Sequence, residues 1–169
     1  MSKPFEFIDF TVKVTEAMND ALIAALDEAA GELHAKTVRN SRQGYEYGDI
    51  LATALWEYEL DADNLKASVG SKHEAGYWEE FGTGSHAQNG DGRKGWWVYI
   101  EGGSGYEGKT NTYHTKEEAE KMAKYIKKEY GLTAIATDGI EPNTPLQRAF
   151  KSGKPVVERI FEAKLKGLE

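Results

Sequence analysis

The sequence predicts an α+β fold: a mainly antiparallel sheet, a long N-terminal helix, an inserted βαβ lobe and a C-terminal helix. Three observations predict it. Apolar residues alternate with polar ones over residues 8–14, then recur at helical spacing from Met18 to Leu33, so the period changes from 2 to about 3.6. Residues 58–69 read as two strands whose apolar positions match across Asp63-Asn64. Two stretches, Thr115 to Glu118 and Thr144 to Gln147, carry the Thr-x-x-Glu/Gln pattern that opens a helix.

Each element follows in order. Ile8 to Val14 is a half-buried strand, apolar on alternate residues. Met18, Leu22, Leu26, Ala29 and Leu33 form one helical face, within a helix from about Glu16 to Asn40. Its acidic residues come early, and Lys36, Arg39 and Arg42 come late, which suits the helix dipole. Gly44 stops it. Gly48 to Thr53 is a short turn or helix. With Asp63-Asn64 as the tight turn of a hairpin, Ala62 faces Leu65, Asp61 faces Lys66, Leu60 faces Ala67, Glu59 faces Ser68 and Tyr58 faces Val69. A slip by one residue destroys that agreement.

Ala75 to Phe81 is a short aromatic helix or turn, ending at Gly82-Thr83-Gly84. Residues 84–95 hold four glycines and little that is apolar, the composition of a flexible loop. Trp96 to Glu101 is a strand apolar on both faces, expected to be covered on both. A second loop spans 102–112. Thr115 caps a helix whose stripe is Ala119, Met122, Ala123, Ile126 and Tyr130, and Gly131 closes it. Thr133 to Thr137 is a further strand. Strand, helix and strand make the βαβ lobe, right-handed if the strands pair in parallel. Thr144 is expected to cap the last helix with Pro145 at its first position. Gly153 and Pro155 are expected to break or kink it, after which Val156, Val157, Ile160, Phe161 and Leu165 resume an apolar face.

The chain has 169 residues, 40% hydrophobic and 29% charged. That composition fits one domain over 1–169 with the 85–139 lobe inserted, and it excludes disordered and membrane-embedded classes. There are no cysteines, which removes disulfides and thiolate chemistry. No signal-peptide core or apolar run of spanning length appears, so no membrane partner is expected. Net charge is −7, which disfavours general nucleic-acid binding. Residues 1–84 carry 7 Lys/Arg against 16 Asp/Glu, whereas residues 85–169 carry 14 against 12. Such halves can attract head to tail between copies.

Chemistry-bearing patterns are sparse. His34, His73, His86 and His114 do not stand at metal-ligand spacing, so no metal is expected. Gly103 to Gly108 spells G-x-G-x-x-G, but the next helix cap is Thr115, seven residues on. A dinucleotide fingerprint needs the helix to start inside the glycine run, so no cofactor is expected. Glu79-Glu80 and Glu117-Glu118 are adjacent pairs that point apart on a helix and make no acid/base dyad. No catalytic residue is expected, and the chain reads as a non-enzyme. Aromatics crowd at Tyr77, Trp78 and Phe81, and again at Trp96, Trp97 and Tyr99. Trp97 and Tyr99 face away from Trp96 and Val98, and a small domain hardly covers both faces, so an interface is expected there.

Three stretches resemble a known family. Gly48-Asp49-Ile50-Leu51-Ala52-Thr53-Ala54-Leu55 is similar to the glycine–x–leucine stretch after the first helix of tail-completion, or head–tail joining, proteins of long-tailed double-stranded DNA bacteriophages. Val69-Gly70-Ser71 with Ala75 to Gly84 resembles their segment ending in Glu-Phe-Gly-Thr. Gly139-Ile140-Glu141-Pro142, Leu146 and Ala149-Phe150 resemble their C-terminal stretch. The likeness covers about 15–84 and 138–168. Pro145 and Arg148 depart from it, standing where the family usually has Phe and Pro, and the 96–137 stretch is longer than the usual connection.

The resemblance implies a virion protein of the tail or neck, made in the host cytoplasm. It implies a homo-oligomeric ring, most often a hexamer, around the DNA channel, against tail-tube, tail-terminator or head-connector proteins. Its partner interface is expected to use Tyr77, Trp78, Glu80, Phe81, Trp97 and Tyr99, with the Glu80–Thr83 turn as a pivot and Phe81 anchored in the core. Glu57, Glu59, Asp61 and Asp63 are the residues expected to face the channel, where carboxylates let DNA pass without gripping it. Lys66 opposes that placement, though its expected partner Asp61 offsets it. The alternative is a small ligand-binding or enzymatic domain using residues 96–139.

Overall fold

The computed structural model describes residues 19–101 and 111–166. The expected strand at 8–14, the start of the first helix, the glycine run at 103–108 and most of the second loop lie outside the described residues. The elements run α1 (Asn19–Asn40), β1 (Glu46–Tyr47), β2 (Ile50–Leu51), β3 (Glu57–Asp61), β4 (Lys66–Gly70), α2 (Glu74–Phe81), β5 (Trp97–Ile100), α3 (Lys116–Tyr130), β6 (Ala134–Thr137) and α4 (Pro145–Lys166). The class is α+β. Among the described residues the strands form three two-stranded ladders, β1–β2, β3–β4 and β5–β6, in place of one sheet. The chain divides into two compact units. Among the described residues, one holds 19–45, 51–80 and 144–166, and the other holds 46–50, 81–101 and 111–143.

The first unit is built on α1 and α4. α1 buries Leu22, Ala25, Leu26, Ala29, Ala30 and Leu33, the predicted stripe with alanines added. Each fully buried leucine contributes about 1.5–3 kcal/mol. α4 answers with Leu146, Ala149, Val157 and Ile160. Of the break or kink expected at Gly153 and Pro155, the break does not occur: α4 runs from Pro145 to Lys166 with Pro155 inside it. Gly153 has a packing reason instead: a Cβ there would collide with the Leu33 side chain of α1. Beyond α1, Trp56 is buried and its Nε1–H donates to Ser41 Oγ at 2.6 Å.

The hairpin has the predicted register, with Tyr58 opposite Val69, Glu59 opposite Ser68, Leu60 opposite Ala67 and Asp61 opposite Lys66. Its turn differs. Residues 62–65 all belong to the turn, so Ala62 and Leu65 do not pair in the ladder. Leu65 takes the positive φ, at 49°, not Asp63 or Asn64. Asn64 is held by Asp61, which accepts its backbone N–H at 3.2 Å and its side-chain N–H at 2.7 Å. Those bonds fix the first half of the turn, and Leu65 absorbs the reversal.

In the second unit β5 and β6 pair antiparallel, with Trp97 opposite Thr137 and Ile100 opposite Ala134. The strand–helix–strand order was read correctly, but the strands are not parallel. Trp96 and Tyr113 exchange backbone bonds at 2.9 and 2.7 Å. The chain has therefore already returned to the start of β5 before α3 begins. α3 then runs alongside β5, and β6 must come back against it. Val98, Ala119 and Ala123 form the core, with Trp96, Ile100, Tyr113, Met122, Ile126, Ala134 and Ala136 packed around it. Tyr130, expected in this stripe, is 65% exposed. Among the described residues the other face of the ladder is covered only in part: Trp97 is half-buried, whereas Tyr99 and Ile135, opposite each other, are exposed.

Candidate functional site

Among the described residues, the segment from Glu79 to Ser85 carries a dense set of long-range polar contacts. Glu79 and Glu80 close α2 and are 0% and 1% exposed. Adjacent helical residues point about 100° apart, so the two carboxylates serve different partners. Glu79 Oε1 accepts the Arg42 backbone N–H at 3.0 Å, and Oε2 accepts its guanidinium N–H at 2.6 Å. That pair secures the exit from α1. Glu80 Oε2 accepts the Leu146 N–H at 2.8 Å, and Oε1 accepts the Gln147 N–H at 3.0 Å. These are two of the orphan donors in the first turn of α4.

Glu80 is thus the N-terminal cap of α4, and the expected capping box at Thr144 does not form. Thr144 has φ 51°, whereas a capping threonine is extended. The residue before a proline is steered away from the right-handed helical region, and here it turns left-handed. Burial pushes the Glu80 carboxyl above its usual range, against the pull of the two N–H donors and of Arg148. The expectation that Glu80 meets a partner gives way for the same reason: both oxygens are used inside the chain.

Beyond Glu80 the backbone reverses. Gly82 and Gly84 have φ 74° and 62°. A Cβ on Gly82 would stand 2.7 Å from the Ile140 carbonyl oxygen, and one on Gly84 would strike the Asp138 oxygen. Thr83 N–H donates to Ile140 O at 2.8 Å, and Ile140 N–H donates to Thr83 Oγ1 at 3.0 Å. Ser85 N–H donates to Asp138 O at 2.8 Å, and Ser85 Oγ–H donates to Asp138 Oδ2 at 2.7 Å. His86 Nε2 stands 3.3 Å from Asp138 Oδ1. The Ser85 hydroxyl, then His86, holds the Asp138 carboxyl below its usual range. Serine and histidine both address the aspartate, so no serine–histidine relay is formed. The 84–95 loop is more anchored than its composition suggests: Gln88 N–H also reaches Phe81 O at 2.9 Å, and Arg93 Nε–H donates to Thr112 Oγ1 at 3.1 Å.

The expected interface aromatics are spread over both units. Tyr77, Phe81 and Trp97 are half-buried, so Phe81 is not the fully buried anchor expected of it. Trp78 and Tyr99 are exposed, and the Arg93 guanidinium lies 5.1 Å over the Trp97 ring. The acidic hairpin is partly neutralised. Lys72 pairs with Glu59 and, at 3.3 Å, with Glu57. Those bonds, Glu59 first, raise the Lys72 ammonium above its ordinary range. Asp61 is held low first by Asn64, with Lys66 the weakest contributor, so the expected pairing with Lys66 is secondary. Asp63 is exposed at the tip.

His34 Nε2 is 3.0 Å from Trp56 O, a structural contact. Among the described residues no group of three acidic or histidine side chains is placed to hold a metal, and no helix is long and apolar enough to cross a membrane. Read alone, the sequence assigns Arg42 only a helix-dipole role and Glu79 only a place in an adjacent pair, and it does not reveal their bond or the role of Asp138. One signal was present: two adjacent glutamates flanked by Tyr77, Trp78 and Phe81 sit where burial forces a carboxylate to find partners. Neither the sequence nor the fold matches a known family model, a characterised protein or a solved structure.

Proposed function

We propose that this chain is a structural component of a long-tailed bacteriophage particle, completing the tail or joining it to the head as a ring around the DNA channel. Six copies are the expected number. The observation that carries the reading is the work done by the Glu80-Phe81-Gly82-Thr83 segment, the most recognisable part of the resemblance. Its residues serve architecture: Glu80 caps α4, Gly82 permits the reversal, and Thr83 bonds Ile140. Ile140 and Leu146 belong to the other resembling stretch. Within each unit a contact thus joins the two motifs, some 60 residues apart, Glu80 to Leu146 in one and Thr83 to Ile140 in the other, which is how an assembly scaffold uses such residues.

Within this reading the exposed Trp78 and Tyr99 meet neighbouring tail or neck proteins, and the β3–β4 hairpin lines the channel. Lys72 offsets one of the two charges on Glu57 and Glu59, leaving Asp61 and Asp63 as the stronger part of the acidic wall. The test is genetic and structural. Removing the chain from the particle that encodes it should leave filled heads and separate tails, and supplying the purified protein should join them. A cryo-EM map should show a closed ring of this chain with Asp61 and Asp63 toward its axis. Joined, infectious particles made without the chain would overturn the proposal.

A further inference from the structure

The chain is acidic as a whole, but the solvent face of α3 is basic. From Lys121 to Tyr130 the helix carries four lysines and one glutamate. A helix turns about 100° per residue. Lys121, Lys124 and Lys128 therefore fall within about 60° of one another, opposite the buried Ala119 and Ala123. All three are exposed, and they span about 10 Å along the helix axis. Their acidic neighbours are Glu117, one turn before Lys121, and Glu129, which pairs with Lys128 at 3.6 Å. Glu120 is taken by Lys116, also at 3.6 Å. Among the described residues Lys121, Lys124 and Lys127 have no carboxylate at ion-pair distance. The same helix exposes two aromatic rings. Tyr125 and Tyr130 are 51% and 65% exposed, with centroids 6.3 Å apart. Tyr125 stands one turn from both Lys121 and Lys128.

We infer that this face of α3 is a contact surface for the phosphate backbone of duplex nucleic acid, bound without regard to base sequence. The composition of the face selects the occupant. Lysine is depleted in protein–protein interfaces, whereas surfaces that meet nucleic acid are strongly positive. Lysine ammonium groups and tyrosine hydroxyls both donate to phosphate oxygens. Over the length of the lysine row a duplex presents about six phosphates. The helix has no arginine, asparagine or glutamine, the side chains that most often read base edges, so the contact positions a duplex without specifying its sequence. The net charge of −7 repels the duplex elsewhere, which keeps binding local and weak, with a dissociation constant on the order of 10⁻⁵ M at low salt. The inference does not rest on the assembly reading above, because it concerns the chain alone with free duplex, and either stands if the other fails.

The test is fluorescence anisotropy of a labelled DNA duplex of about 20 base pairs and mixed sequence, titrated with the purified full chain over a range of salt. The logarithm of the affinity should fall with the logarithm of salt at a slope near −3, from about three neutralised phosphates. Replacing Lys121, Lys124 and Lys128 together by glutamine should lower the affinity at least about tenfold and bring the slope toward zero. Lys151, Lys154 and Lys166 are exposed on α4, and replacing those three by glutamine removes the same charge from another surface. That variant should bind as the unaltered chain does. Polyglutamate of matched charge should compete at least about tenfold less well than unlabelled duplex, because a flexible peptide lacks the duplex's condensed counterions. Equal losses in the two triple variants, or no binding by the unaltered chain at low salt, overturn the inference. Equal competition by polyglutamate overturns it too, and makes the face a site for acidic protein.

Discussion

α3 and α4 begin with the same kind of sequence and end up capped in different ways. Thr115-Lys116-Glu117-Glu118 closes on itself. Thr115 is extended at φ −127°, its side chain accepts the Glu118 N–H, and the Glu118 carboxylate accepts the Thr115 N–H. Thr144-Pro145-Leu146-Gln147 carries the same spacing, yet Thr144 is left-handed and a glutamate 66 residues away accepts the helix donors. The difference teaches what a capping signature requires. It needs an extended backbone at the first residue, and it competes with any stronger acceptor that the fold brings to the same donors. A carboxylate at a helix N-terminus is such an acceptor, because it adds charge–dipole attraction to the hydrogen bonds.

The largest effect should come from Glu80→Ala. It leaves the buried Leu146 N–H and the half-buried Gln147 N–H without their acceptor, and we expect a loss of about 3–5 kcal/mol in urea unfolding. A loss below about 1 kcal/mol would show that water or Thr144 can take over the cap. Glu80→Gln keeps one acceptor and should cost less, about 1–2 kcal/mol at neutral pH.

That variant also gives the pH test. The folded pKa of Glu80 lies above the unfolded value of 4.5, so the folded chain binds the proton more readily. The stability from this group is full below 4.5 and is lost as pH rises through the raised value. Unaltered protein should therefore gain stability relative to Glu80→Gln as pH falls from 7 toward 4.5. A difference that shrinks on acidification would mean the two N–H donors outweigh burial.

Smaller effects separate the two helices. Thr115→Ala should cost about 1 kcal/mol, read as faster hydrogen exchange at the first turn of α3. Thr144→Ala should change stability by less than about 0.5 kcal/mol, because its hydroxyl is not the cap. Equal losses at the two threonines would restore Thr144 as a local cap and leave Glu80 a secondary partner.

Much of the architecture was legible from local rules. The hairpin register followed from matching apolar residues across two short strands, since a one-residue slip would expose every buried position. The stripe of α1 and both ends of α3 followed from periodicity and from residues within one turn of each other. Misreadings arose where a distant segment decided the outcome. Gly153 reads locally as a helix break or kink, but its place is set by the Leu33 side chain packed against it. Leu65 absorbed the turn because Asp61 had already fixed Asn64. The strand–helix–strand order leaves the sense of the β5–β6 pairing open, and the Tyr113–Trp96 bridge goes with the antiparallel one.

The candidate site shows the same division. Its position was visible in the run from Tyr77 to Gly84, where aromatics, two glutamates and two glycines coincide. The roles within it were not. By itself the sequence determined which segments form helices and strands and which faces are apolar, because hydrophobic period and capping act over a few residues. Only the tertiary structure decided that Glu79 secures Arg42 and that Glu80 caps α4. A buried carboxylate takes whichever donors the fold places beside it, and that placement depends on chain returns that no local pattern encodes.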